Sequence, residues 1–207
     1  MGVDAPRLTR REQQQRTRRE LIDAASRVFA ERGIERASVE DIAAEAGYTK
    51  GAFYASFASK DELFLTIVDE KFTAEIERVE AMLGDGDDPE QQARDAAVDF
   101  VRNVNSDPDW ARLFFEFTVR AAHDPEFREH LNDRYESLRT RLVAVFERWS
   151  SGFPENPPIP MEQIATMTYC MANGFLVEQM IDPDLPDELY GSMMAIFFRG
   201  LQATAED

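Results

Sequence analysis

Apolar residues recur every three to four positions along almost the whole chain, and no stretch alternates apolar with polar at the period of a strand. That periodicity predicts an all-α fold. Caps and breakers divide it. Thr9 and Glu12 can form a capping box ahead of the stripe Leu21, Ile22, Ala25, Val28 and Phe29, which Gly33 stops. Ser38 and Asp41 can open a short helix with Val39, Ile42, Ala43 and Ala46 on one face, ended by Gly47, and Thr49 can cap a third. Ser59 and Glu62 start a long helix whose inner side carries Leu63, Phe64, Ile67, Val68, Phe72, Ile76, Val79 and Leu83. Pro89, Pro108 and Pro125 suit first helical positions, and helices are predicted to about Ser106, His123 and Ser150. Two more follow, from Pro160 to about Ile181 and from about Pro186 to Leu201, for about nine in all.

The balance of 43% hydrophobic and 30% charged residues over 207 positions excludes disorder and permits a sizeable core. No apolar run reaches the ~20 residues that span a bilayer, and no apolar segment follows the N-terminal arginines as in a secretory signal. With Cys170 as the lone cysteine, these features lead to an expectation of a cytoplasmic protein without membrane partners. The net charge of −17 argues against a polyanionic partner only on average. Residues 1–60 hold eleven Lys and Arg against nine Asp and Glu, so the acidity lies beyond them. A basic end on an acidic body suits an oriented encounter with nucleic acid, although a solvated basic helix start has the same composition.

The run 38–57 carries the clearest chemistry. Two short helices joined by Gly47-Tyr48, with Thr49 as cap, have the helix-turn-helix spacing. In that motif the second helix enters the major groove and offers its first residues to base edges. Phe53 and Phe57, one turn apart, are predicted to face inward, and Lys50 and Tyr54 outward with Gly51 and Ala52. Small side chains permit deep seating, Tyr54 offers a hydroxyl to a phosphate, and Lys50 reaches a guanine edge or a phosphate. Free amides after Ser38 and Thr49 can also hold phosphates.

The run LIDAASRVFAERGIERASVEDIAAEAGYTKGAFYASFASKDELF resembles the DNA-binding domain of TetR-type transcriptional regulators, over about Arg16 to Lys71. The resemblance implies an N-terminal three-helix DNA-binding domain and a larger helical ligand-binding and dimerisation domain. With the arginine-rich start read as a basic arm at 1–15, the expected domains are a DNA-binding domain at 16–75 and an effector-binding and dimerisation domain at 76–207. Ser38 and Tyr54 match the family's phosphate-contacting positions. Thr49, Lys50, Gly51 and Ala52 match those that read or pack against bases, and Lys60 matches a lysine that reaches the backbone. Ala55 and Ser56 depart from the bulkier residues common at their positions.

For the second domain, the resemblance implies dimerisation through the last two helices. Both read as apolar around most of their circumference, which calls for burial on two sides. Tyr169, Leu176, Met180, Met193, Phe197 and Leu201 are the candidate interface. Phe100, Trp110, Phe114, Phe117, Met167, Met171 and Phe175 could line a ligand cavity, though stripes of this kind also build ordinary cores. Glu116 is the polar candidate there, with solvent as its other destination. His123 and His130 do not share a regular helical face, so no metal site is expected, and no cofactor. Cys170 is expected in the core. No nucleophile–base pairing or phosphate loop suggests an enzyme.

The predicted function is a homodimeric repressor on a near-palindromic DNA operator, released by an unknown small-molecule effector. A DNA-binding factor without such an effector is the alternative.

Overall fold

The computed structural model describes residues 9–84, 88–149, 153–154 and 157–204. Among them it forms nine helices and no strand: α1 (Arg10–Arg32), α2 (Val39–Glu45), α3 (Lys50–Tyr54), α4 (Lys60–Met82), α5 (Pro89–Asn105), α6 (Pro108–His123), α7 (Pro125–Arg148), α8 (Met161–Ile181) and α9 (Asp187–Thr204). None of the described helices is long and apolar enough to cross a membrane.

The helix starts follow their caps. Thr9–Glu12 and Ser38–Asp41 make full capping boxes. At α4, Ser59 accepts the Glu62 amide at 3.0 Å, while the Glu62 carboxylate reaches back to Ala58 N at 2.6 Å, one residue before the expected partner. Asp88 and Asp124 cap the proline-led helices α5 and α7 through the amides of Gln91 and Phe127. Asp107, ahead of Pro108, pairs with Lys71 at 2.5 Å.

The chain forms two compact units. The first comprises residues 1–70 together with 109–131, so α6 and the start of α7 pack with the N-terminal helices, although sequence alone places them beyond the 75/76 boundary. Its core joins Leu21, Val28 and Phe29 of α1 to Ile42, Phe53, Phe57, Phe64, Leu113, Phe117 and Phe127, all 5% exposed or less. Phe64 is the hub, with ring centroids 5.7 Å from Phe29, 5.4 Å from Phe117 and 6.2 Å from Phe127. The α6 contribution is also polar. Arg112 donates to Ala30 O, Ile34 N donates to Glu116 Oε2 at 3.1 Å, and Arg120 grips Asp61 with two bonds of 2.7 Å. These three residues are spaced by four and therefore share one face of α6.

The second unit comprises 71–108 and 132–207. Val101, Phe146, Trp149, Ile164, Phe175, Tyr190 and Phe198 build its centre. Here α9 passes close against α5 at Gly191: a Cβ there would meet Val98 Cγ2 at 2.7 Å and Arg94 O at 3.0 Å. Trp149 stacks edge-on to Phe198 at 5.1 Å and donates its indole N–H to Gln92 at 2.9 Å, so the aromatic core leaves that polar atom satisfied.

Candidate nucleic-acid interface

Residues 38–57 fold as two short helices around Gly47, whose φ of 75° lies in the left-handed region that favours glycine. Tyr48 N then donates back to Ala43 O at 2.8 Å, and the Tyr48 hydroxyl donates to Glu20 of α1. A five-residue helix such as α3 has no independent stability. It is held from below by Phe53 and Phe57, 0% and 2% exposed. From the side, Arg18 lies 4.0 Å over the Phe57 ring and donates to Ser56 O at 2.8 Å.

The opposite face is open. Tyr54 is 52% exposed, and Thr49, Lys50 and Gly51 are exposed. Ala52 is half-buried. A Cβ added at Gly51 would meet only Thr49 Oγ1, at 3.7 Å. No neighbour among the described residues requires glycine there, and α3 is narrow at that point. Thr49 Oγ1 accepts the Ala52 amide at 3.3 Å, and first-turn amides of a helix have no intrahelical acceptor.

The remaining expected contacts have partners within the chain. Ser38 gives both its amide, at 3.1 Å, and its hydroxyl, at 2.6 Å, to Asp41 Oδ2. Its own N–H is therefore already occupied by an anion. The Ser38 bonds, and after them Arg32, hold the Asp41 carboxyl below the usual carboxylate range. Lys50 pairs with Glu40 of α2, which lowers the Glu40 carboxyl and raises the Lys50 ammonium. Lys60 donates to Ile34 O at 2.6 Å and Ala37 O at 2.9 Å, tying α4 to the loop between α1 and α2. Glu40 and Arg18 escape a reading by spacing, because each meets its partner across a turn or between helices. The arm residues 1–8 lie outside the described residues, and a polar groove at the start of α1 is lined by Arg11, Gln14, Gln15, Arg18 and Ser56.

The expected ligand-site residues divide between the units. Trp110, Phe114, Glu116 and Phe117 belong to the first, and Phe100, Met167, Met171 and Phe175 to the second. Phe117 is fully buried in the first core, where its ring meets Trp110 at 6.0 Å and Phe114 at 5.0 Å. Glu116 is half-buried, and its carboxylate accepts the Ile34 amide. Met167 is 43% exposed, on the outer side of α8 rather than within the unit. Cys170 is exposed too, because the inner side of α8 is taken by Ile164, Ala165, Thr168, Ala172, Phe175 and Leu176.

Of the expected interface residues, Met180 is well exposed, Tyr169, Met193 and Phe197 are half-buried, and Leu176 and Leu201 are buried within the protomer. The exposed apolar set is Met167, Val177, Met180 and Ile181 on α8, with Leu189 and Ile196 on α9. No cluster of potential metal ligands occurs among the described residues.

Residues 21–67 match the model of bacterial regulatory proteins of the tetR family, and residues 89–201 match that of the BetI-type transcriptional repressor C-terminal region. A curated relative, the HTH-type transcriptional repressor AcnR of Corynebacterium efficiens, is 29% identical over 77% of this chain and 80% of its own length. The structure of the SmeT–triclosan complex aligns at a TM-score of 0.66 with 25% identity, covering 87% of this chain and 88% of that one. The regulator FadR of Bacillus subtilis, in complex with stearoyl-CoA, shares the fold at a TM-score of 0.70 and 20% identity, over 87% of this chain and 96% of its own.

Proposed function

The chain belongs to the TetR family of bacterial regulatory proteins, and from that premise we propose that it acts as a homodimeric repressor of a near-palindromic operator, released by a small molecule. The observation that carries the reading is the two-faced α3. Phe53 and Phe57 anchor it, while the face of Thr49, Lys50, Gly51 and Tyr54 is left to solvent and kept narrow at a glycine that packing among the described residues does not require.

In this reading α3 lies in the major groove. Gly51 and Ala52 set its depth, Lys50 and Thr49 reach base edges or phosphates, the Tyr54 hydroxyl contacts the backbone, and Ser38 does so by turning its hydroxyl from Asp41 to a phosphate. Lys60 keeps one of its three N–H donors for a phosphate, since two are on carbonyls. Two-fold pairing through the exposed apolar stripes of α8 and α9 sets two such helices about one DNA turn apart. Effector binding then favours an arrangement of the dimer in which the two no longer match successive grooves. The triclosan complex of SmeT, a relative by structure and 25% identical, supports a small-molecule effector. A DNA-binding regulator of this kind works in the cytoplasm.

The test is a selection of host genomic fragments on the purified protein, followed by sequencing. Recovery of one near-palindrome supports the reading. Binding that is salt-sensitive but indifferent to sequence removes operator recognition from α3.

A further inference from the structure

The carboxylate of Glu75, in the second-unit part of α4, has one oxygen satisfied and one not. Asn103 Nδ2 donates to Oε2 at 2.8 Å. Oε1 is shut off from solvent, and no donor among the described residues reaches it. Buried acceptors nearly always find a donor, so this atom calls for a reason. Burial holds the Glu75 carboxyl above its ordinary range, against the opposing bond from Asn103 and the charge of Arg78.

The surroundings narrow the reason. Phe100 lies one turn before Asn103 on α5 and has its ring 6.0 Å from Tyr190, which in turn is 5.3 Å from Phe175. Tyr190 is buried and senses the Glu75 charge, yet its hydroxyl is directed to Thr168 O at 3.4 Å. The guanidinium of Arg78 pairs with Asp99 at 3.4 Å. The unit thus holds an unmet acceptor with negative charge in a core that carries aromatic rings, while the Tyr190 hydroxyl and the Arg78 guanidinium that sense that charge bond elsewhere. A carboxylate in such a place is complemented by a group bringing both an N–H and a positive charge, and ring faces favour the same cation.

Resting on the reading of this unit as effector-binding, we propose that Glu75 anchors the effector, and that the effector is an organic ammonium with at least one N–H beside an apolar body. An anion is repelled there, and a neutral alcohol supplies the hydrogen bond without the charge.

The test titrates 2-phenylethylammonium, neutral 2-phenylethanol and anionic 3-phenylpropanoate against the full chain, with melting temperature and operator release as readouts. The amine is expected to raise the melting temperature and release DNA, and the other two to do neither. Glu75→Gln is expected to bind the amine about tenfold more weakly or worse. Without amine it melts a few degrees higher, because the buried charge is gone. If that variant fails to fold, Glu75→Asp keeps the charge and must keep the preference for the amine. An equal amine response in a folded Glu75→Gln, no response in the parent protein, or a preference for the alcohol or acid overturns the proposal. Sequence-specific operator binding, measured without any compound, separates the readings. If it persists while the amine does nothing, Glu75 loses its role and the regulator stands; if it is missing, the regulator reading itself falls.

Discussion

The amide of Ile34 donates to the carboxylate of Glu116 at 3.1 Å, joining α6 to the loop that follows α1. The same carboxylate lies against Gly33, where an added Cβ would come within 3.0 Å of Oε2 at a φ of 78°. Glu116 therefore sets the geometry of the loop leading to α2. Glu116→Ala leaves a part-buried amide without its acceptor, and a loss of about 1–2 kcal/mol is expected. Chemical denaturation measures it. An unchanged midpoint would show that water replaces the carboxylate without cost.

Gly51→Ala separates folding from recognition. Alanine favours the helix by up to about 1 kcal/mol over glycine, and the site has room for a methyl group. The variant is expected to melt at or above the parent temperature while binding operator at least tenfold more weakly. Equal operator affinity in a gel-shift titration removes Gly51 from the interface.

Lys50 pairs with Glu40, whose charge competes with a phosphate or a base for the ammonium. Glu40→Gln removes that competitor and a negative charge beside the DNA. Operator affinity should rise several-fold, whereas Lys50→Met should lower it and reduce the salt slope by about one. Anisotropy titrations at several salt concentrations test both. Weaker binding by Glu40→Gln would mean that the pair positions Lys50 rather than restrains it.

The helices were legible because their ends are written locally: Thr9, Ser38 and Thr49 each accept from an amide three residues on. The inward Phe53 and outward Tyr54 follow from one helical turn. The destination of α6 was not legible. Glu116 is separated from Ile34 by 82 positions, and no periodicity encodes which helix a carboxylate will meet. Lys60 was readable as a cation near the motif but not as a donor to the carbonyls of Ile34 and Ala37. The two sides of α8 were not legible for a related reason, and the expectation of Cys170 in the core failed on it. Cys170, Met167, Leu176 and Tyr169 all sit in one apolar run, and only tertiary packing decides which are covered.

Acid should loosen the helix starts. The Asp41 carboxyl is lowered by Ser38 and then Arg32, and that of Asp124 by the Phe127 amide and then Arg120. A lowered folded value means stability that is fully present above the unfolded carboxylate range, near pH 4, and lost as pH falls through the folded values. The melting temperature should therefore fall steeply below about pH 4, and Asp41→Asn should flatten that limb while lowering the neutral-pH value. An acid limb of the same steepness in the variant would remove Asp41 from the account.

Cys170, the single cysteine, reports on the dimer. Positions 167, 170, 174, 177 and 181 fall on one side of α8, so its thiol lies within the stripe formed with Met167, Val177 and Ile181. In one protomer the thiol is exposed; in a dimer paired through this stripe it is covered. The parent protein at micromolar concentration should react with a thiol reagent at least tenfold more slowly than an Ile181→Glu variant that sediments as a monomer. The reason is that a buried carboxylate opposes association far more than it disturbs a surface already 75% exposed in the protomer. Fast labelling of a parent protein that sediments as a dimer would move the interface off this face of α8, and with it the spacing argued for the two recognition helices.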